Sequence, residues 1–312
     1  MAYGLLTQTG AANKDAAMRE DLIDIITDVS PDETPLATML ARTTASQPLH
    51  QWLEDYIARP TKVSAAVEGA AATYDDLAQP ERRTNWTHIV SQTFRVSGTE
   101  IATEHAGMGS SYDYQAAKAL VNWKNKQEFA LVRGAMASGS SGVARQMAGL
   151  DSVITSHYTA RNSGTSLSET EFNEMVAEVW ADVGASDVFD LVLVPFGLKQ
   201  KMSQFTAGNT KFTYAEDKRL TRPVAVYESD GGVHRIMAHK DVRSAAATGT
   251  LPGPTFIGIK EDKYRIAYLR DPKREELAKD GDRRNGQIVG EFTLEYLAER
   301  TSVRRHGYAV KG

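Results

Sequence analysis

The chain has 312 residues, 41% of them hydrophobic, a formal net charge of -4 and no cysteine. That size suits one large domain or two modest ones with a real core; the missing cysteine excludes disulfides, thiolate catalysis, Cys-ligated zinc and iron–sulfur clusters, and suits a reducing compartment. The first hundred residues carry 8 Lys and Arg against 14 Asp and Glu, so the concentrated basic face of a sequence-specific DNA binder is missing, and contact with nucleic acid would have to come from scattered arginines or from many copies. The start MAYGLLTQTGAANKD has no basic n-region or apolar h-region, and no run of about 18 apolar residues offers a membrane span, so a soluble chain made in the cytoplasm is expected.

The first predicted helix covers about 16–29, with Met18, Leu22, Ile25, Ile26 and Val29 on one face and Asp15, Glu20, Asp21, Asp24 and Asp28 off it. Ser30-Pro31-Asp32-Glu33 then reads as a capping box with proline at the first helical position, opening a short helix to about Ala41. These helices form an arm that docks either on the chain's own core or on a neighbouring subunit. Two long strands follow, within LHQWLEDYIA and NWTHIVSQTFRVSG, with Val90, Phe94 and Val96 sharing one face. Between them, residues 59–84 are rich in Ala, Thr, Gly and Pro, with Tyr74 and Leu77 as return anchors. A loop of about 25 residues without structure of its own is uncommon inside a compact domain. It is either a mobile surface hairpin or an excursion ordered by another subunit.

The longest helix is expected over about 112–133, with an apolar stripe of Ala116, Leu120, Trp123, Ala130 and Leu131, while Lys118, Lys124, Lys126, Glu128 and Arg133 mostly take the rest. Residues 135–149 read as a small-residue loop. Ser168 with Glu171 caps a helix that carries Phe172, Met175, Val176, Val179, Trp180 and Val183 on one face and ends at Gly184. A buried strand at 190–195 and a helix at 196–205 complete an α/β layer. From Pro223 the pattern turns to strands, with a hairpin at Gly231-Gly232, a strand from Lys263 to Leu269, and a last strand from Gln287 to Glu299 with one buried face.

No catalytic constellation emerges. The 7 histidines are scattered, without an i,i+4 pair on a helix, and His234 and His239 fall on opposite faces of a hairpin strand. Gly139-Ser140-Ser141-Gly142 lacks the spacing of a nucleophile elbow or a phosphate loop. Asp280-Gly281-Asp282 starts like a calcium loop, but Arg284 and Asn285 break it. Neither an enzyme nor a cofactor or metal is expected; an α/β enzyme built on 165–265 is the rival from another class.

The order of elements resembles the major capsid protein family of tailed bacteriophages with the Hong Kong 97 fold. The resemblance also rests on particular strings: SPDETPLATML, FRVSGTE, YDYQAAKALVNWKNKQEFALVRG, ARQMAGLDSVITS, VYESDGGVHRIMAHK and REELAKDGDRRNGQIVGEFTLEYLAER. It implies an α+β fold with an arm at 1–47 and an extended β-hairpin loop at 48–100. A peripheral domain would take 101–164 and 266–312 with the spine helix at about 112–133, and an axial domain 165–265. It further implies hexamers and pentamers of the chain closing an icosahedral head around double-stranded DNA held by non-specific contact, in a virion assembled in the host bacterial cytoplasm. A separate scaffolding protein, a portal protein and a decoration protein are the other partners of this reading, and no membrane is. Leu36, Met39 and Leu40 of the arm and Trp52, Lys62, Tyr74 and Trp86 of the loop are the candidate inter-subunit contacts. Lys62 is the candidate lysine for the isopeptide chemistry of the family's founding member, and no partner for it is identifiable. An encapsulin-like compartment, which shares the fold, is the alternative within structural proteins.

Overall fold

A computed structural model describes residues 34–57, 65, 67–71, 79–103, 109–205, 226–244 and 253–309. The arm helix expected at 16–29 and the cap at Ser30, together with Lys62 and Tyr74, lie outside them.

Among the described residues the chain begins with a short helix α1 (Pro35–Met39) and strand β1 (Ala41–Thr44). Next come the hairpin strands β2 (Leu49–Glu54) and β3 (Glu81–Trp86), then β4 (His88–Ser97), the short α2 (Gly98–Ala102) and the long helix α3 (Ser111–Arg133). A turn of helix α4 (Leu150–Val153) and β5 (Tyr158–Thr165) lead to α5 (Glu169–Val183), β6 (Leu191–Val194) and α6 (Phe196–Met202). The remaining strands are β7 (Val226–Ser229), β8 (Gly232–Ala238), β9 (Thr255–Ile259), β10 (Tyr264–Leu277), β11 (Arg283–Tyr296) and β12 (Val303–Tyr308).

Two sheets carry the packing. The first is four-stranded, in the order β1-β10-β11-β4, and α3 lies along it. Trp123, 2% exposed, fixes that seating: its indole Nε1 donates to the Val90 carbonyl at 2.9 Å, and its ring meets Phe292 edge-on. A buried indole contributes both area and a satisfied donor, which makes it an effective registration point. The second sheet is six-stranded, in the order β5-β12-β9-β6-β8-β7, and α5 and α6 pack Phe172, Met175, Val179, Leu198 and Met202 into its core. The cap on α5 is as expected from sequence, with the Ser168 hydroxyl accepting from the Glu171 N–H at 3.2 Å and Gly184 in the left-handed region at φ 89.

Several elements differ from the sequence expectation. The helix before Ala41 is only five residues long, because the chain turns extended at Leu40 and β1 pairs in parallel with β10. Leu120 and Trp180, expected on buried faces, are 41% and 47% exposed. Glu128, assigned to the polar face of its helix, is fully buried. The last long strand is buried on both faces beyond Val289, since Glu291, Thr293 and Glu295 are as enclosed as Phe292 and Leu294. The chain does not end with that strand: β12 follows and sits second in the six-stranded sheet, between β5 and β9. β12, and β5 up to its last residue Thr165, lie outside residues 165–265.

The loop at 135–149 closes on a backbone contact that needs two glycines. Gly149 N–H donates to the Gly134 carbonyl at 2.9 Å. A Cβ on Gly149 would stand 2.6 Å from the Ala130 carbonyl oxygen, and one on Gly134 2.6 Å from that of Met147. Hydrogen at Cα is what lets the loop return to the end of α3.

Candidate functional site

The arm enters the described fold at a buried carboxylate. Leu36 and Ala37 donate their N–H groups to Glu128 Oε1 and Oε2 at 2.8 and 2.9 Å. His239, at the end of β8, approaches Glu128 Oε1 with Nε2 at 2.7 Å while its Nδ1 accepts from the Asp241 N–H at 3.1 Å. The tautomer with hydrogen on Nε2 satisfies both contacts. The first N–H groups of a helix have no partner within it, so Glu128 serves as the cap that α1 lacks in its own sequence. Leu36 and Leu40 are 0% and 3% exposed and belong to the chain's own core, with Met39 packed against it. Glu128 orients α1 so that its apolar side faces the chain's own interior, which covers Leu36 and Leu40.

The hairpin β2–β3 is tied to the rest of the fold at its base and again at Tyr56, just beyond β2. Asn85, fully buried, donates Nδ2 to the carbonyls of Ala148 and Leu294 at 3.1 and 2.8 Å and accepts from the Ala148 N–H at 2.8 Å. Trp52 meets Tyr296 edge-on at 4.8 Å, and His50 lies 3.1 Å from Glu295. Trp86, half-buried, pairs with Leu49 across the hairpin base. Between Trp52 and Tyr56, Leu53 is 68% exposed, and Ile57 beyond them is 87% exposed. An isolated two-stranded hairpin is marginally stable in water, and these apolar side chains have no covering surface among the described residues.

Beside the base, Tyr56 donates to Asp182 Oδ1 at 2.5 Å, and the Arg300 guanidinium lies 4.0 Å above its ring. Burial pushes the Asp182 carboxyl up, but the Tyr56 hydrogen bond and the charges of Arg300 and His157 outweigh it and hold the group below the usual carboxylate range. The hydrogen bond to Asp182, with burial, raises the Tyr56 phenol.

A second buried carboxylate organises the sheet. Glu291 accepts from Thr87 Oγ1 at 2.6 Å and Arg270 Nε at 3.0 Å, and pairs with Arg145. Burial raises its carboxyl, yet the hydrogen bonds from Thr87, Arg145 and Arg270 and the Arg145 charge more than offset this and leave it below the ordinary value. Glu299, 3% exposed, accepts from the Ser156 N–H at 2.6 Å and its hydroxyl at 2.5 Å. Sequence reasoning gave the last long strand one buried face, and nothing local marks these glutamates as enclosed, because their donors come from other segments.

His234 is fully buried, with Nδ1 on the Phe189 carbonyl at 2.8 Å and Nε2 on Ser229 Oγ at 2.7 Å, and burial holds its ring toward the neutral form. It is a satisfied core histidine. Among the described residues no group of three or more His, Asp or Glu could hold a metal ion, and no helix is long and apolar enough to cross a membrane.

Comparison with known proteins gives this geometry its context. A family model described as SU10 major capsid protein matches residues 5–309. The curated "Major capsid protein" of Escherichia phage Phieco32 is 29% identical over 106 residues, which cover 34% of this chain and 30% of that protein. This match thus spans under a third of the curated relative's length. The capsid of Cyanophage A-1(L) superposes with a TM-score of 0.71 at 13% identity, covering 93% of this chain and 97% of that one. The capsid of a native GTA particle gives 0.68 at 12% identity, with 98% and 100% covered. The SrpI encapsulin of Synechococcus elongatus PCC 7942 gives 0.56 at 12%, with 92% and 93% covered. The fold is of the Hong Kong 97 type.

Two outcomes follow for the carboxylates. Glu128→Ala strands two helix N–H groups and His239 in the core, so its urea midpoint should fall by the equivalent of about 3 kcal/mol, and Leu36→Asp should also cost the fold. Glu291 has a depressed folded pKa, so its contribution is complete above the ordinary glutamate value of about 4.3 and is lost as pH falls through it toward the folded value. Urea titrations across that window should show Glu291→Gln less stable near neutrality and less sensitive to acid than the parent; equal acid sensitivity would remove Glu291 from the account.

Proposed function

Because the chain belongs to the SU10 major capsid protein family, we propose that it is the shell subunit of a tailed-phage head, assembling into hexamers and pentamers that close around double-stranded DNA. The observation that supports this most directly is the hairpin β2–β3, where Leu53 near the outer end of β2 and Ile57 just beyond that strand stand exposed. Such a ribbon gains its missing partner surface when many copies pack around it, and closed symmetric assembly gives every copy the same neighbour. The family's structural role supports reading the chain as a shell protein and not as an enzyme.

In this reading the four-stranded sheet with α3 forms the peripheral part and α3 is the spine helix. The axial part is the six-stranded sheet with α5 and α6, and it takes β5 and β12 in addition to residues 165–265. Leu53 and Ile57 join Trp52, Lys62, Tyr74 and Trp86 as hairpin contacts to neighbours, and Leu36 and Leu40 leave that set. A separate scaffolding protein, a portal protein and a decoration protein complete the virion partners, and assembly takes place in the host bacterial cytoplasm. DNA contact is non-specific, in keeping with a net charge of -4. The encapsulin-like alternative shares the fold, and the family match favours the phage shell.

The test separates assembly from folding. A Leu53→Asp/Ile57→Asp chain should keep the parent's near-ultraviolet circular dichroism and urea midpoint, because both side chains are already in water. It should lose the fast-sedimenting particles expected of the parent, expressed alone or with any adjacent scaffolding gene. Particles at the parent's yield would overturn the hairpin as the joining element.

A further inference from the structure

A groove of about 840 Å3 runs between α3 and the start of β4, and no described segment covers it. Its floor is apolar, with Ile89 45% and Phe129 49% exposed and Ala130 beneath them. Its rim is basic. Lys126 lies exposed along it with Nζ on the Ser91 carbonyl at 3.0 Å, and the Arg133 guanidinium lies 5.4 Å from the Phe129 ring centroid. Lys118 extends the same α3 face, since positions 118, 122, 126, 129 and 133 recur at helical spacing. Asp241 is the one acidic group that lines the groove, at the end where Arg133 donates to its backbone carbonyl.

The described chain starts beside that end. Thr34 precedes α1, whose N–H groups meet Glu128; Glu128 meets His239, and His239 accepts from Asp241. The residues before Thr34 thus leave the fold next to the mouth of the groove. They include residues 16–29, whose spacing puts Met18, Leu22, Ile25, Ile26 and Val29 on one face and Glu20, Asp21, Asp24 and Asp28 elsewhere. As a helix this segment is about 21 Å long, close to the length of α3 between residues 118 and 133 at the same rise per residue.

We propose that the groove between α3 and β4 is the docking site of the chain's own residues 16–29, which lay their apolar stripe on Ile89 and Phe129 and their acidic flank against Lys118, Lys126 and Arg133. Three features support this occupant: the length match, the opposite charge of the two surfaces, and the point where the described chain begins. Burial of an amphipathic face is what stabilises a helix of this length, which is marginal alone in water. The electrostatic share of docking weakens with added salt, as it does for charges near a surface.

The absence of cysteine gives a clean test on the full-length, unassembled chain, so its failure is separate from failure to form shells. Met18→Cys is combined with Asn122→Cys on the groove face, or with Val226→Cys on exposed β7 as control, and mild oxidation is followed on a non-reducing gel. Docking in the same chain should give an intrachain disulfide in the groove pair at about tenfold the control yield, as expected from a raised effective concentration. Lys126→Glu should reduce that yield, and so should added salt. Disulfide-linked dimers in place of the intrachain product would assign the groove to a second copy and overturn the proposal, as would equal yields in the two pairs. Hydrogen exchange gives a second readout: Leu22→Asp/Ile26→Asp should speed exchange at residues 88–92 if the stripe covers them, and unchanged rates there would also overturn it.

Discussion

A single buried carboxylate fixes the relation between arm, long helix and sheet. Glu128 has no exposure to water, and an isolated charge in that position would cost several kcal/mol. It is held by donors 92 and 91 residues earlier in the chain and by a histidine 111 residues later. Each of these segments is placed by the need to satisfy Glu128. Removing any one strands the others, so the arm helix α1 is part of the folded subunit and its first turn starts at a defined point on α3. A five-residue helix without a side-chain cap of its own has little intrinsic stability, and this contact supplies what its sequence lacks.

The same logic repeats along β11. Glu291 and Glu299 stand where an alternating strand would show them to solvent, but each is enclosed by donors from another segment: Thr87, Arg145 and Arg270 for the first, Thr155 and Ser156 for the second. These contacts join β11 and the segment after it to the base of the hairpin, the glycine-closed loop and the approach to β5. The hairpin base is thereby rigid through Asn85 and Trp52, while its outer part carries Leu53 and Ile57 into solvent. Held at its root, the hairpin presents Leu53 and Ile57 to water, where the described fold offers them no cover.

Much of this was legible in the sequence because local signals decided it. The Ser168 cap, the Gly184 stop, the Gly231-Gly232 turn and the 23-residue α3 follow from capping, turn chemistry and periodicity. What the sequence did not yield was decided by partners far along the chain. Nothing near Glu128 marks it as buried, because its three donors come from Leu36, Ala37 and His239. Strand β1 was hidden by an apparent continuation of the helix from Leu36 through Leu40, which the parallel pairing with β10 overrides. Trp180 reads as a core residue by spacing, yet it lines a cleft between α5 and the β7–β8 turn and keeps nearly half its surface in water. The candidate contacts divide in the same way. Leu36 and Leu40 were chosen for apolar character, which does not say whose core they enter, whereas Ile57 escaped notice although it is the most exposed large apolar side chain among the described residues.

The central claim is that one chain, folded about Glu128 and extended by its hairpin, is the repeating unit of a closed shell. Electron microscopy of the purified full-length chain, expressed alone and with any adjacent scaffolding gene, tests it most directly. The account predicts closed shells or capsomer rings in which the hairpin of one copy lies over the next. A monodisperse, folded monomer under these conditions, with no rings or shells in the images, would contradict it.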